Sequence, residues 1–245
     1  MRNAWTIAKR EFLHYFVSPT AYAVAFAQLV ILGIIFYLNL AVTVNQGGGA
    51  PQPVQWVFGP YITLALFLTP GVTMRLLAEE NSRGTMELLL TAPLREWELV
   101  LGKWLAAMAF MAVMIFLTLI YFLIANGITD PGIDIGQSFA AYTGFLLMMG
   151  AMLAIGLFVS SLFSNQIAAF FVTQAVAIAL WLVDNLGQNL TGVVAEVFSY
   201  LGLASHVYDN FLDGKVDLTD VTYFVSIAVL FIFLTTRVVE SRRWR

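Results

Sequence analysis

Apolar positions in this chain come in long unbroken runs. They neither alternate every second residue nor stripe one face of a helix. The runs cover about 20–44, 56–78, 101–125, 137–162, 166–183 and 219–238. A hydrocarbon core about 30 Å thick needs roughly 20 apolar residues of helix at 1.5 Å rise each, and each run is close to that length. Helices that are apolar on every side belong in lipid or deep inside a large protein. Six of them predict an all-α membrane protein with six transmembrane helices. Arg2, Lys9 and Arg10 precede the first run, as they would in a secretory signal. The run exceeds the roughly 7–15 residues of a signal's apolar region, so an uncleaved first span is expected.

The polar positions orient these spans. Arg2, Lys9 and Arg10 precede the first span, Arg75, Arg83, Arg95 and Lys103 cluster around the second connection, and Arg237, Arg242, Arg243 and Arg245 follow the last. With six spans these segments share one side, which holds 11 of the 12 Lys and Arg residues. The positive-inside rule makes that side cytoplasmic, so both termini are expected there, in a multi-pass protein of the inner (cytoplasmic) membrane.

The connections differ in kind. Asn3–Phe16 carries Trp5, Phe12 and Phe16, with Ala8 and Leu13, at helical spacing among Lys9, Arg10, Glu11 and His14. This predicts an amphipathic helix in the cytoplasmic interface, within 1–19 and broken from the first span by Ser18-Pro19. Ser160–Gln166 is short and uncharged, which makes spans four and five a tight hairpin. The segment 184–218 is long and semi-apolar. Val193, Val194, Val197, Phe198, Leu201 and Leu203 are too few to cross the bilayer, so short re-entrant or interfacial helices before span six both remain open. Asn189-Leu190-Thr191 matches a glycosylation sequon, a pattern common by chance. No repeat or linker divides residues 1–245, and a single transmembrane domain is expected.

Composition agrees with the spans. The chain is 60% hydrophobic and 11% charged, with mean hydropathy +0.83, against about 25% charged residues in soluble domains. A net charge of −3 lacks the basic excess of a nucleic-acid binder. The absence of cysteine excludes disulfides and thiolate metal sites. His14 and His206 fall on opposite sides of the predicted topology, which argues against a histidine metal centre.

Away from their ends the spans hold no Lys, Arg, Asp or Glu, and Asp184 stands beside the end of the fifth. Proton pumps and secondary transporters usually carry ionisable residues at mid-membrane. Gln28, Thr63, Thr118, Thr143, Thr173 and Gln174 remain, and interhelical hydrogen bonding is their expected role. Phosphate-loop chemistry is absent: Gly102-Lys103 has Trp97 where the first glycine should stand and Trp104 in place of Ser or Thr. No HExxH or serine–histidine arrangement appears at membrane depth. No catalytic, cofactor or metal site is therefore expected in this chain, and energy for work must come from a partner.

Pro70–Lys103 is the most informative stretch. Thr69-Pro70-Gly71 should bend or loosen the second span. The helix should continue through Glu79 and Glu80 and end at Gly84 in a left-handed conformation. Thr85 fits the N-cap of a new short helix, Met86–Thr91, with Glu87 in its first turn, and Ala92-Pro93 should end it. A third helix is expected from near Arg95 through Lys103. So short a helix does not persist alone in water. Its leucines must dock in a partner's groove or dip among headgroups.

The run Glu80-Asn81-Ser82-Arg83-Gly84-Thr85-Met86-Glu87-Leu88-Leu89-Leu90-Thr91-Ala92-Pro93, followed by Glu98-Leu99-Val100-Leu101-Gly102-Lys103, resembles the signature of ABC type-2 transporter permeases. That signature is an acid, then Gly-Thr-x-Glu-x-Leu, a proline, and a Gly-Lys opening the third span. Arg95 stands where the pattern would have a Ser or Thr cap. Ser205–Phe211 through Asp213-Gly214-Lys215 to Asp220–Phe224 is similar to the gliding-motility, or GldF-like, branch. The resemblance implies a coupling helix after span two, seated in a separate ATPase subunit. It places Glu80, Gly84, Thr85, Glu87, Leu88 and Pro93 at that interface and Lys103 at the entry to span three. It further implies a second permease chain, ATP and Mg held by the partner subunit, and an outer gate before span six.

The expected function is thus a non-catalytic permease subunit of an ATP-driven exporter. An apolar and weakly polar path suits amphipathic or lipid-like cargo better than a small ion. Work on an envelope partner is an alternative output. Glu196, His206, Asp209, Asp213 and Asp217 are the candidate outer gate or partner segment, and an extracytoplasmic auxiliary protein is a possible partner beside membrane lipids. The rival reading is a non-transporting scaffold or channel that needs no ATPase.

Overall fold

The computed structural model describes residues 2–45, 52–86, 94–129, 132–189, 192 and 200–242. Ten α-helices and one 3-10 turn are described, and no strand is found among these residues. Helix α1 (Arg2–Val17) leads into α2 (Pro19–Asn45), α3 (Pro53–Thr73) and the short α4 (Ala78–Arg83). Then come α5 (Glu96–Leu117), α6 (Leu119–Ile128), α7 (Ile135–Leu162) and α8 (Gln166–Asn189). The last are α9 (Leu203–Asp209), a 3-10 turn (Phe211–Asp213) and α10 (Leu218–Arg242). Six helical stretches are long and apolar enough to cross a membrane: α2, α3 with α4, α5 with α6, α7, the first 18 residues of α8, and α10.

α7 is the hub, packed by α3, α5, α8 and α10. Its sequence explains why. Gly144, Gly150 and Gly156 lie six residues apart, a step that turns an α-helix by about 240°, so the three glycines face three directions about 120° apart. Each receives a different neighbour: the Phe211 ring presses on Gly144, Trp104 and Met108 of α5 on Gly150, and Thr73 of α3 on Gly156. The Trp104 indole also donates to the Gly150 carbonyl at 3.0 Å. Small residues at helix contacts let backbones approach where lipid offers no hydrophobic drive between helices.

Aromatic rings fill the space beside α7. Phe58 and Tyr61 of α3 pack on Phe145, and Phe58 also meets Phe122 and Tyr142. Two of the mid-span polar residues make interhelical bonds. The Gln28 amide donates to the Met114 carbonyl at 2.9 Å, and Thr118 lies 2.8 Å from the Tyr142 hydroxyl. Thr118 also marks the one-residue break between α5 and α6. Thr143 bonds only within its own helix, to the Phe139 carbonyl. Thr173 and Gln174 are buried with no partner for their side-chain polar atoms among the described residues, so the expected role in helix bonding is not seen for them there.

α1 lies along the start of α5. Its buried face is Ala4, Ile7 and Ala8, and Tyr15 stacks on Phe110 at 4.6 Å between centroids. Gly102 permits this contact, because a Cβ there would lie 2.8 Å from the Ala4 carbonyl oxygen and 2.9 Å from Ile7. The opposite face leaves Trp5, Leu13 and Val17 exposed, at 69%, 53% and 76%.

Candidate functional site

Two clusters of polar side chains occupy opposite ends of the bundle. The first lies at the end that carries the chain termini. α3 continues as helix through Pro70, and the departure from helix comes four residues later, over 74–77. Proline removes one backbone donor, and the Thr73 hydroxyl donates back to the Thr69 carbonyl at 2.9 Å across this turn. The turn's own N–H groups are met by α7: Leu77 N and Ala78 N both donate to Ser160 Oγ, at 3.1 and 3.0 Å. Asn81 Nδ2 donates to the Phe163 carbonyl at 3.0 Å. From α10, Arg242 donates to the Ser161 carbonyl at 2.6 Å. The tight 160–166 connection therefore fastens the segment after span two and the end of the last span.

Beyond the turn, Lys103 joins three helices. It is 3% exposed, and its Nζ lies 2.8 Å from Glu80 Oε1 on α4 and 3.8 Å from Glu11 Oε1 on α1. Glu11 also takes Arg10 at 3.0 Å, and Glu79 pairs with Arg83 at 2.6 Å. Gly84 closes α4 at φ +68°, the left-handed position that favours glycine. Thr85 and Met86 resume helical conformation, and the Thr85 hydroxyl reaches back to the Glu80 carbonyl at 3.4 Å. Glu87, Leu88 and Pro93, with the remainder of the expected short helix, lie outside the described residues. α5 then starts at Glu96, with Arg95 as an extended cap residue. Glu98 reaches back to this end of the helix: its Oε2 accepts Arg95 N at 3.3 Å and also Asn3 Nδ2 at 3.0 Å, which ties α1 to the start of α5.

Glu80, expected at the coupling interface, and Lys103, expected at the entry to span three, are thus brought together as a buried ion pair. Gly84 and Thr85 stand at the surface end of the same segment. Glu11, Ser160, Asn81 and Glu98 were not singled out from sequence. Only a pairing partner for Lys103 could have been sought there, and several acids were equally available.

The second cluster is at the far end. α8 continues past the expected span end to Asn189, and Glu196 lies outside the described residues. Residues 203–213 pack into the bundle: Leu203, Val207, Phe211 and Leu212 are buried. Gln137 of α7 donates to the Leu212 carbonyl at 2.6 Å, and the Tyr208 hydroxyl donates to the Gly59 carbonyl of α3 at 3.1 Å. His206, 9% exposed, holds this segment on α10. Its Nδ1 is 2.6 Å from Asp220 Oδ1 and its Nε2 is 3.0 Å from the Tyr200 carbonyl. Asn210 Nδ2 donates to the other Asp220 oxygen at 2.8 Å, and the imidazole stacks on Tyr223 at 4.2 Å. Asp209, Asp213 and Asp217 are exposed, with Lys215 3.9 Å from Asp213. Asp217 also accepts the Thr219 N–H at 3.0 Å at the start of α10. Among the described residues no group of His, Asp and Glu side chains could hold a metal ion.

The chain matches the family described as ABC-2 family transporter protein over residues 57–239, about three quarters of its length. It belongs to that family. The match runs from α3 to α10 and includes the far-end cluster and the Glu80, Lys103 and Ser160 part of the first, while α1 with Glu11, and α2, precede it. No curated protein matches the chain. As an ABC-2 family member with six membrane-length apolar helices, it is a multi-pass membrane protein and the permease component of an ABC transporter. Such membrane domains are typically non-catalytic, and the family implies an ABC ATPase as partner.

Proposed function

We propose that this chain couples ATP hydrolysis by a separate subunit to outward movement of an amphipathic or lipid-like molecule, or to mechanical work on an envelope partner. Both termini and the 74–103 connection face the cytoplasm, residues 1–245 act as one domain, and two permease chains work with two ATPases. Glu80, Gly84, Thr85, Glu87, Leu88 and Pro93 belong to the coupling interface, and ATP and Mg bind in the partner. The observation that carries the reading is the fastening of the segment after span two. Glu80–Lys103–Glu11 ties it to α5 and α1, and Ser160 ties it to the hub α7. A push on residues 84–93 is delivered to three other helices at once, which suits a transmission element. ATP binding closes the ATPases on each other, the coupling segments follow, and the two permeases rock about their interface.

The test is ATPase activity of the complex co-purified in mild detergent and returned to lipid. Gly84→Val places a β-branched residue at φ +68°, a strain of about 1–3 kcal/mol. Glu87→Ala removes the first-turn acid. Both are expected to insert and express normally and to lose stimulated ATPase activity. A chain that purifies alone as a stable oligomer, or variants with wild-type activity, would instead make it the scaffold or channel.

The far end is proposed as the outer gate, with the GldF-like branch as the nearest type. Asp209, Asp213 and Asp217 form its exposed acidic face, where an extracytoplasmic auxiliary protein would dock. Changing all three to Asn is expected to reduce capture of such a partner from native membranes several-fold, with a stronger loss at low salt. Equal capture by mutant and wild type would remove the docking role.

A further inference from the structure

Two adjoining cavities open between α1, α2, α3 and α5 at the terminal end of the bundle. One has a volume of about 450 Å³ and the other about 510 Å³. Both fall in the size range of small-molecule sites, and they share Glu11, His14, Arg75, Glu79 and Lys103 as walls. The apolar part of the first cavity's wall is formed by Ala21, Val24, Phe67, Leu68, Val72 and Phe110, of which Phe67 and Val24 are exposed on the outside of the bundle.

The mouth is charged, and its charges do not balance. Three acids line the pair of cavities, and each has its own base: Glu11 has Arg10, Glu79 has Arg83 and Glu80 has Lys103. Arg75 is the base left over. It is exposed, and it has no ion pair or hydrogen bond among the described residues. His14, also exposed, stands on the same wall. An apolar cleft with one surplus guanidinium at its mouth selects an anion attached to a hydrocarbon chain.

Its position says where that molecule comes from. The mouth lies at the foot of two membrane-length helices, beside a helix with exposed Trp5, Leu13 and Val17 among Lys9 and Arg10. That is the composition of a headgroup-level surface. We infer that this cleft is a binding site for an anionic phospholipid of the surrounding membrane. The phosphate head sits on Arg75 beside His14, and an acyl chain lies against Phe67 and Phe110. The site belongs to one permease chain, and its occupancy does not depend on what the transporter moves. Its effect is to seal α1 and α2 onto α3.

Nanodiscs of phosphatidylcholine containing a minor fraction of phosphatidylglycerol test this, with the protein-bound lipid counted by native mass spectrometry. Wild type is expected to retain phosphatidylglycerol about fivefold above its share, the preference that one basic side chain supplies at a membrane surface. Arg75→Gln should retain lipid with a ratio near one. Gly71→Leu fills the cleft from its wall, where a Cβ meets nothing within 4 Å, and a leucine suits a helix better than glycine. It should abolish retention with Arg75 intact. A wild type with no preference overturns the proposal, as does a preference that survives in both variants.

Discussion

Lys103→Ala is expected to cost about 3–5 kcal/mol of stability, the range for removing one partner of a buried ion pair. The cause is what the substitution leaves behind. Glu80 and Glu11 both face the Lys103 ammonium, and Glu80 Oε2 is already buried without a hydrogen-bond partner among the described residues. Without the lysine, two carboxylates share a site with only Arg10 to serve Glu11. Thermal unfolding in detergent, followed by tryptophan fluorescence, measures the loss as a lowered midpoint. A companion variant separates charge from packing. Lys103→Met with Glu80→Leu replaces the pair by apolar groups of similar size, which is often neutral or stabilising. It should recover most of the midpoint, and its failure to do so would assign the loss to the shape of the lysine stem. Stimulated ATPase activity of the recovered variant then tests coupling apart from stability. If the pair transmits motion, activity stays low at a restored midpoint.

The motif residues at this end had physical reasons that sequence could suggest only by resemblance. Gly102-Lys103 is one such case. The glycine is required because the Ala4 carbonyl and Ile7 press on it, and the lysine because Glu80 needs a cation. The long apolar runs were legible because lipid imposes one length and one composition on every span. So was the left-handed closure at Gly84, a local backbone property. The partners across helices were not legible. Ser160 supplies an acceptor to α3's turn from 82 residues away, and nothing in the local sequence of either segment specifies that meeting. The bend or loosening expected around Pro70 shows the same limit on where it falls. Proline removes a donor at a known place, but the helix absorbs the loss and opens at 74–77, where Ser160 is ready to accept the freed N–H groups. For Thr173 and Gln174 the residue type suggested interhelical bonds, yet their buried side-chain polar atoms, like the Thr69 hydroxyl across a small cavity from Thr173, find no hydrogen-bond partner among the described residues.

At the far end, Asp220→Ala is expected to loosen residues 203–210 with a cost of about 1–3 kcal/mol for each of the two partners, His206 and Asn210, that it strands in a nearly closed site. Asp220→Asn keeps the shape and part of the bonding and should cost less, about 1–3 kcal/mol. The far-end segment has two separate fastenings. One is the polar knot on α10, with His206 bonded to Asp220 and the Tyr200 carbonyl and stacked on Tyr223. The other is the seat on α7, where Phe211 fills the space over Gly144 and Gln137 holds the Leu212 carbonyl. Cutting the first leaves the second in place. Hydrogen exchange should therefore quicken across α9 in Asp220→Ala while 211–213 and α7 keep their protection. That outcome identifies the segment as hinged at Phe211 and latched at Asp220, which is the mechanical requirement for a gate before the last span. Faster exchange spreading along α7 would mean that the segment and the hub unfold as one unit. Unchanged protection at 203–209 would assign the hold to the apolar seat alone, and the buried His206–Asp220 pair would then have no latching role.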